Sequence, residues 1–321
     1  MKNRSSLAPS DIRFLIVGAE KSGTTWLADM LRQHPRVFIP AQKELHYFNS
    51  RLDEAPELEN YNVTKPLEWY LDFYRPAPAG RTLGEACPAY LWDESAAQRI
   101  HAFNPDVRIL MILRNPVERF FSAYRYAIQR GILSAGAPET ILEQHRSLLL
   151  ERGFYYRQVK RYLGVFPRSQ VGVFWYDDLR RDSRAFLLSA EKFLGLEAFV
   201  PDNVSEEINA AGVPRFPILG RWLASFRRFT RAHRMTWLIE PARRLGLAEA
   251  MDRMRTLNKA PSASATPVDL GAFDRRQIYE FYADDIASLE TLLTVDLRAW
   301  KQDAPNRQAG LSPTQPENRE M

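Results

Sequence analysis

The chain has 321 residues, 45% of them hydrophobic, 12% aromatic and 26% charged, the proportions of a globular protein able to bury a sizeable core. Collagen-like, coiled-coil and wholly disordered chains are excluded, and the single cysteine, Cys87, excludes an internal disulfide framework and a cysteine-rich zinc site. Forty-four basic against 39 acidic residues leave +5, a balance that favours anionic partners in general.

Residues 1–10 read as a loose polar lead. Phe14 to Gly18 is a short apolar run closed by glycine, the pattern of a strand buried on both faces. It runs directly into Glu20-Lys21 and is too short for a secretory leader. No segment reaches the roughly 18 apolar residues of a membrane span, so a soluble, cytoplasmic protein is expected. Thr24 to Gln33 predicts a helix, with Trp26, Leu27, Met30 and Leu31 on one side and Pro35 as a stop.

Val107 to Leu113 is a second apolar strand. After it come Arg114-Asn-Pro116 and a helical pattern through Arg130, with Asn115 as N-cap and Pro116 in the first turn. Val171 to Trp175 predicts a third strand, and Ser183 to Leu194 a helix ended by Gly195. Strands alternating with helices predict an α/β fold: a central, mostly parallel sheet flanked by helices. Residues 258–268 read as a Pro/Ser/Ala loop. A last helix, Asp274 to Leu293, carries Ile278, Phe281, Tyr282, Ile286, Leu289 and Leu293 at helical spacing. The polar tail, 301–321, is expected to be disordered, leaving one domain over 11–300.

Two loops carry chemistry. Gly18-Ala-Glu-Lys-Ser-Gly-Thr-Thr25 lies beyond the carboxyl end of a strand, where backbone N–H groups and a helix N-terminus make an anion cradle. Its glycine spacing matches a Walker A loop, but Thr24 stands where that motif has lysine, and Lys21 comes earlier. Arg114-Asn-Pro-Val-Glu-Arg-Phe-Phe-Ser122 follows another strand, and its guanidinium and hydroxyl could clamp a second phosphate. Singly, each has a plain structural reading: a tight turn, an arginine paired with a carboxylate, a serine packed in a helix. Two such loops on successive strands of one sheet are much rarer than either.

At these residues the sequence resembles the sulfotransferases that use 3′-phosphoadenosine 5′-phosphosulfate (PAPS). Lys21-Ser-Gly-Thr-Thr-Trp-Leu27 is similar to their 5′-phosphosulfate loop, and Arg114-Asn-Pro-x-x-Arg-x-x-Ser122-x-Tyr124 to their 3′-phosphate signature. Lys43-Glu44-Leu-His46-Tyr-Phe48 resembles the Lys-Glu-x-His-Phe-Phe stretch of the heparan-sulfate type and its bacterial relatives. Arg152-Gly-Phe-Tyr155, Phe166-Pro167, Asp177-Asp-Leu179 and Phe193-Leu-Gly-Leu196 resemble further landmarks of that branch. Arg255, Asn258 and Lys259 loosely match its C-terminal cofactor loop. The likeness spans about residues 12–300 and implies a P-loop-like sulfotransferase fold. One departure concerns the acceptor: Ala86-Cys87 stand where heparan-type enzymes carry Lys-Ser.

The resemblance implies sulfuryl transfer from PAPS to an acceptor hydroxyl, with a carbohydrate or glycoconjugate favoured. It places Lys21, Ser22, Gly23, Thr24, Thr25, Trp26, Arg114, Ser122, Tyr155, Asn258 and Lys259 at the cofactor. Lys21 would stabilise the leaving phosphate, Glu44 would be the general base, and His46 would orient Glu44 or the acceptor. An extended segment would put Glu44 and His46 on one side. No metal or nucleic acid is implied, and the five histidines give no ligand set. The competing readings are a P-loop kinase or NTPase, which would need Mg²⁺ and ATP, and a non-catalytic anionic-glycan-binding protein on the same fold. Between Arg221 and Arg255, nine arginines face Glu240, Glu249 and Asp252. This basic arm is either a solvated helical face or a frame for an anionic acceptor.

Overall fold

The computed structural model describes residues 7–51, 60–129, 132–133, 137–206 and 273–302, with the backbone of 213–214 and 259–260. In chain order the elements are β1 (Ile12–Gly18), α1 (Thr24–Gln33), β2 (Val37–Phe38), α2 (Leu67–Leu71), β3 (Thr82–Ala86), α3 (Ala89–Trp92) and α4 (Ala96–Phe103). Then come β4 (Arg108–Leu113), α5 (Pro116–Gln129), α6 (Pro138–Leu149), α7 (Tyr155–Leu163), β5 (Val171–Trp175), α8 (Tyr176–Arg181) and α9 (Ser183–Leu194). The strand pair β6 (Val213–Pro214) and β7 (Lys259–Ala260) and the helix α10 (Arg275–Leu293) complete them.

Five strands form one sheet in the order β2-β3-β1-β4-β5, and every neighbouring pair is parallel. Period-2 alternation divides its apolar side chains between two faces. Phe14, Ile16, Leu110 and Ile112 meet Trp26, Leu27, Met30 and Leu31 of α1 and Phe186 and Leu187 of α9. Leu15, Val17, Ile109, Met111 and Leu113 meet Ile100 of α4, Phe120 of α5, Val159 of α7 and Tyr282 of α10. The four large side chains on α1 each contribute about 1.5–3 kcal/mol by this burial, more than helix propensity supplies.

The predicted ends of α1, β5 and α9 coincide with the observed ones, because each is marked by a residue of defined geometry. Gly195 closes α9 in the left-handed region at φ 70°. Asn115 Oδ1 accepts from Val117 N at 2.9 Å and so caps α5. Helix α7 is capped from outside: Asp285 of α10 accepts from Tyr156 N at 3.1 Å. Burial pushes the Asp285 carboxyl up to about 6, against the pull of the Tyr156 and Tyr155 N–H groups.

Of the five strands of the sheet, β2 and β3 are the two that sequence patterning does not mark, as it does not mark α2 to α4 and α6 to α8, and they put β1 in the middle of the sheet. The chain passes to β3 on one side of β1 and to β4 on the other. The carboxyl end of β1 is therefore a topological switch point, where a crevice opens for ligands. On α10, Ile278, Tyr282, Ile286 and Leu289 are buried as their spacing predicts, whereas Phe281 is 42% exposed, beneath the Arg146 guanidinium at 5.9 Å. The basic arm at 221–255, most of the 258–268 loop, residues 1–6 and the tail from 303 lie outside the described residues.

Candidate active site

The loop between β1 and α1 is shaped by Gly23, which takes φ 91° as the N-cap of α1. A Cβ there would meet Leu179 Cδ2 at 2.6 Å and push that side chain aside, and the left-handed backbone strains any residue but glycine. The turn leaves the first N–H groups of α1, including those of Thr24 and Thr25, without helical partners and able to bind an anion. Lys21, itself at φ 66°, lays its ammonium over the Tyr126 ring of α5, 4.1 Å from the centroid. Glu20 pairs at 2.5 Å with Arg152, a nearly fully buried guanidinium that also stacks on Trp92.

The second loop closes on the first. Arg114 donates to the Lys21 carbonyl at 3.2 Å and sits over the Tyr176 ring at 4.5 Å. It also approaches Glu118 at 3.5 Å, while Glu118 pairs more closely with Arg275 at 2.6 Å. Arginine–carboxylate pairing and a place beside the anion cradle thus hold together for Arg114. Ser122 is half-buried on the second turn of α5. Ser22 Oγ, within the first loop, and the Tyr155 hydroxyl are buried without a hydrogen-bond partner of good geometry. Burial pushes the Tyr155 hydroxyl up, and Arg119, Ser22 and Arg114 pull the other way. Two buried hydroxyls short of well-formed bonds, one of them in the anion cradle itself, fit a phosphorylated ligand.

The third segment is a turn that follows β2. Glu44 and His46 share one pocket, with Glu44 Oε2 3.7 Å from His46 Nε2. The reason differs from the expected one: the segment is not extended, and both residues lie in the left-handed region, at φ 65° and 54°. Two reversals bring the side chains together where alternation along a strand would have done so. Lys43 bridges this turn to the first loop, meeting Glu44 Oε1 at 3.1 Å and donating to Thr25 Oγ1. Asn49 gives its amide to the Arg51 carbonyl at 2.6 Å, which turns its Oδ1 toward His46 Nδ1 at 3.3 Å. With Asn49 and Cys87 at Nδ1, His46 turns its other ring nitrogen, Nε2, toward Glu44. Cys87 Sγ lies 3.6 Å from the same Nδ1.

Geometry thus brings together Lys21, Ser22, Gly23, Thr24, Thr25, Arg114 and Tyr155, and links them through Lys43 to Glu44 and His46. The Trp26 ring instead turns into the helix–sheet core, 6.0 Å from Phe186, which leaves only its backbone to serve the loop. Asn258 lies outside the described residues, as does the Lys259 side chain. Sequence reasoning missed Lys43 as a bridge and Glu85 as a buried acid beneath the turn. The signal for Glu85 was present: a lone carboxylate inside the run Thr82 to Ala86. Among the described residues, no group of three or more His, Cys, Asp or Glu could hold a metal ion.

A parallel α/β sandwich with an anion cradle at its switch point is a phosphate-binding architecture. Comparison with known proteins narrows the class. Residues 11–211 match the sulfotransferase domain, and the chain belongs to that family. The crystal structure of a sulfotransferase from Alicyclobacillus acidocaldarius is 28% identical and superposes with a TM-score of 0.63, covering 93% of this chain and all of that one. Human bifunctional heparan sulfate N-deacetylase/N-sulfotransferase 2 is 29% identical over 208 residues, 59% of this chain and 22% of that protein. Mouse heparan sulfate glucosamine 3-O-sulfotransferase 5 is 28% identical over 192 residues, 57% of this chain and 53% of that protein. The matches thus span between about a fifth and a half of these relatives' own lengths. Among the described residues, no helix is long and apolar enough to cross a membrane.

Proposed function

We propose that the protein transfers a sulfuryl group from PAPS to an acceptor hydroxyl of a carbohydrate or glycoconjugate. The observation that carries this reading is the joining of the two loops, Arg114 to the Lys21 carbonyl at 3.2 Å, with the buried hydroxyls of Ser22 and Tyr155 short of well-formed bonds. Gly23, Thr24 and Thr25 would hold the 5′-phosphate, and Arg114 and Ser122 the 3′-phosphate that distinguishes this donor from ATP. Heparan sulfate, named for two of the relatives, supports a glycan acceptor; the 3-O-sulfotransferase supports a hydroxyl and the N-sulfotransferase an amine.

Sulfuryl transfer asks the protein mainly for alignment and charge stabilisation. Lys21 would leave the Tyr126 ring and neutralise charge on the departing phosphate. Glu44 would take the acceptor proton as the hydroxyl oxygen bonds to sulfur, a contribution of about 10²–10⁴-fold. His46, with Nε2 facing Glu44, would orient that carboxylate.

Calorimetry with adenosine 3′,5′-bisphosphate, beside ADP with Mg²⁺, tests the donor site. Metal-free binding of the bisphosphate that drops at least about tenfold in Arg114→Ala is expected, the loss of one charge-assisted contact. Preference for ADP with Mg²⁺ would return the kinase reading, and binding of neither would favour a non-catalytic glycan-binding protein. A positive result is followed by labelled PAPS against a panel of glycan acceptors.

A further inference from the structure

Outside the groups assigned above, the most unusual side chain is Glu85 of β3. It is 1% exposed, and among the described residues no cation pairs with it. Burying a carboxyl group is unfavourable unless donors surround it. Three do: Leu45 N and the Tyr90 hydroxyl donate to Oε1 at 3.1 and 2.9 Å, and the Tyr70 hydroxyl donates to Oε2 at 2.8 Å. The Tyr90 hydroxyl also accepts from Tyr47 N at 3.0 Å. Directly and through Tyr90, one carboxyl group thus holds the peptide N–H on each side of His46. Leu45 is also the residue between the two left-handed positions, Glu44 and His46.

We propose that Glu85 is a positioning residue for Glu44 and His46, tethering the backbone on both sides of His46, and that its own protonation sets how firmly the turn presents the two side chains. This rests on the reading of Glu44 and His46 as the groups that meet the acceptor. Ionised, Glu85 accepts all three bonds with charge assistance, the stronger form. Protonated, it must donate one: a proton on Oε2 makes Tyr70 an acceptor, and Tyr70 can then donate to the Tyr74 hydroxyl 3.0 Å away. The turn is kept, by weaker bonds.

The titratable groups around Glu85 are Tyr70 of α2 and Tyr74 just after it, Tyr90 of α3 with Cys87 before it, and Glu44, flanked by Lys43 and His46, on the turn. Burial pushes Glu85 up to about 7; its Tyr70, Tyr90 and Leu45 donors pull it down, and Glu44 adds to the rise. Both forms are therefore populated near neutral pH.

Site-resolved amide hydrogen exchange tests the proposal on wild type, Glu85→Gln and Glu85→Ala, corrected for the intrinsic pH dependence of exchange. Calorimetry with adenosine 3′,5′-bisphosphate runs on the same samples. In wild type, for local opening of the turn with Glu85 still buried, protection of Leu45 and Tyr47 should rise as pH passes through about 7, opposite in sign to the global stability. Glu85→Gln keeps an acceptor but cannot ionise, so its protection should be flat with pH. Glu85→Ala should exchange about 10–100-fold faster at these two amides, the loss expected for a charged acceptor. If Glu85→Ala does not fold, the near-isosteric Gln variant carries the test alone. A wild-type pH profile retained in Glu85→Gln would overturn the proposal, as would loss of bisphosphate binding in that variant, which would put Glu85 under the donor loops instead. Failure of wild type to bind the bisphosphate would count against the donor reading alone, because the exchange profile does not depend on it.

Discussion

Two residues, Glu44 and Gly23, carry the proposed chemistry of the site, and each is constrained by its neighbours more than by its type. Glu44 is a surface-type carboxylate in composition, yet its two oxygens face Lys43 at 3.1 Å and His46 at 3.7 Å. Replacing it by glutamine keeps the size and removes the proposed base. Sulfuryl transfer should fall by about 10²–10⁴-fold while adenosine 3′,5′-bisphosphate binding stays within about twofold of wild type. Equal loss of both would show a structural role and sink the assignment. Gly23 is the counterpart on the donor side. Alanine there meets a left-handed backbone that costs about 1–2 kcal/mol and a Leu179 methyl 2.6 Å away. Urea denaturation of Gly23→Ala should show a loss of about 2 kcal/mol or more, with weaker bisphosphate binding. Wild-type stability in that variant would mean the loop has room that the geometry denies.

At the scale of elements, the legible ones are those with a strong local signature. Helix α1 has its four large apolar side chains on one face, and α5 opens with Asn115 and Pro116, a cap followed by a residue already fixed in φ. Asn115→Ala should cost about 0.5–2 kcal/mol in chemical denaturation, from the lost bond to Val117 N, whereas Asn115→Asp should cost little. Strands β2 and β3 escaped for a physical reason. Strand β2 has only two residues, and β3 carries Gly84 and Glu85 where an apolar run would be expected. Gly84 is needed because the Phe14 ring fills the space a side chain would take, 2.2 Å from a built Cβ. Glu85 is tolerated because Leu45, Tyr70 and Tyr90 supply donors, and two of those three come from other segments. Neither compensation is visible within a short window of sequence.

Across the whole molecule, acids raised by burial link folding to protons: Glu85 and the half-buried Asp285 by large shifts, and Glu191 in the same direction. Glu85 stands at about 7 against an ordinary 4.5, and Asp285 at about 6 against 3.8, both raised by burial. A carboxyl group raised on folding favours the folded state fully below its unfolded pKa and loses that contribution as pH rises through the folded value. The window is therefore about pH 4 to 7, and Glu85 alone accounts for roughly 3 kcal/mol across it. Urea midpoints of wild type and the Glu85→Gln/Asp285→Asn double variant, measured at intervals over that range, isolate the effect. Wild type should lose stability relative to the double variant as pH rises, and a constant difference would refute the linkage.

The sequence by itself determined the α/β class, the ends of the best-marked helices and the places of the two loops that follow β1 and β4. Each of these is set by residues close together in the chain: a periodicity, a cap, a glycine. The resemblance in Lys43-Glu44-Leu-His46 also marked the turn that the structure links to the first loop through Lys43, though the extended geometry expected for it was wrong. Only the tertiary structure decided which side chains meet. The parallel order β2-β3-β1-β4-β5 brings the carboxyl ends of β1, β3 and β4 to one crevice. It joins Arg114 to Lys21 across 93 residues and sets Glu85 beneath Leu45 across 40. Such contacts arise from burial satisfied between distant segments, and no local pattern encodes them.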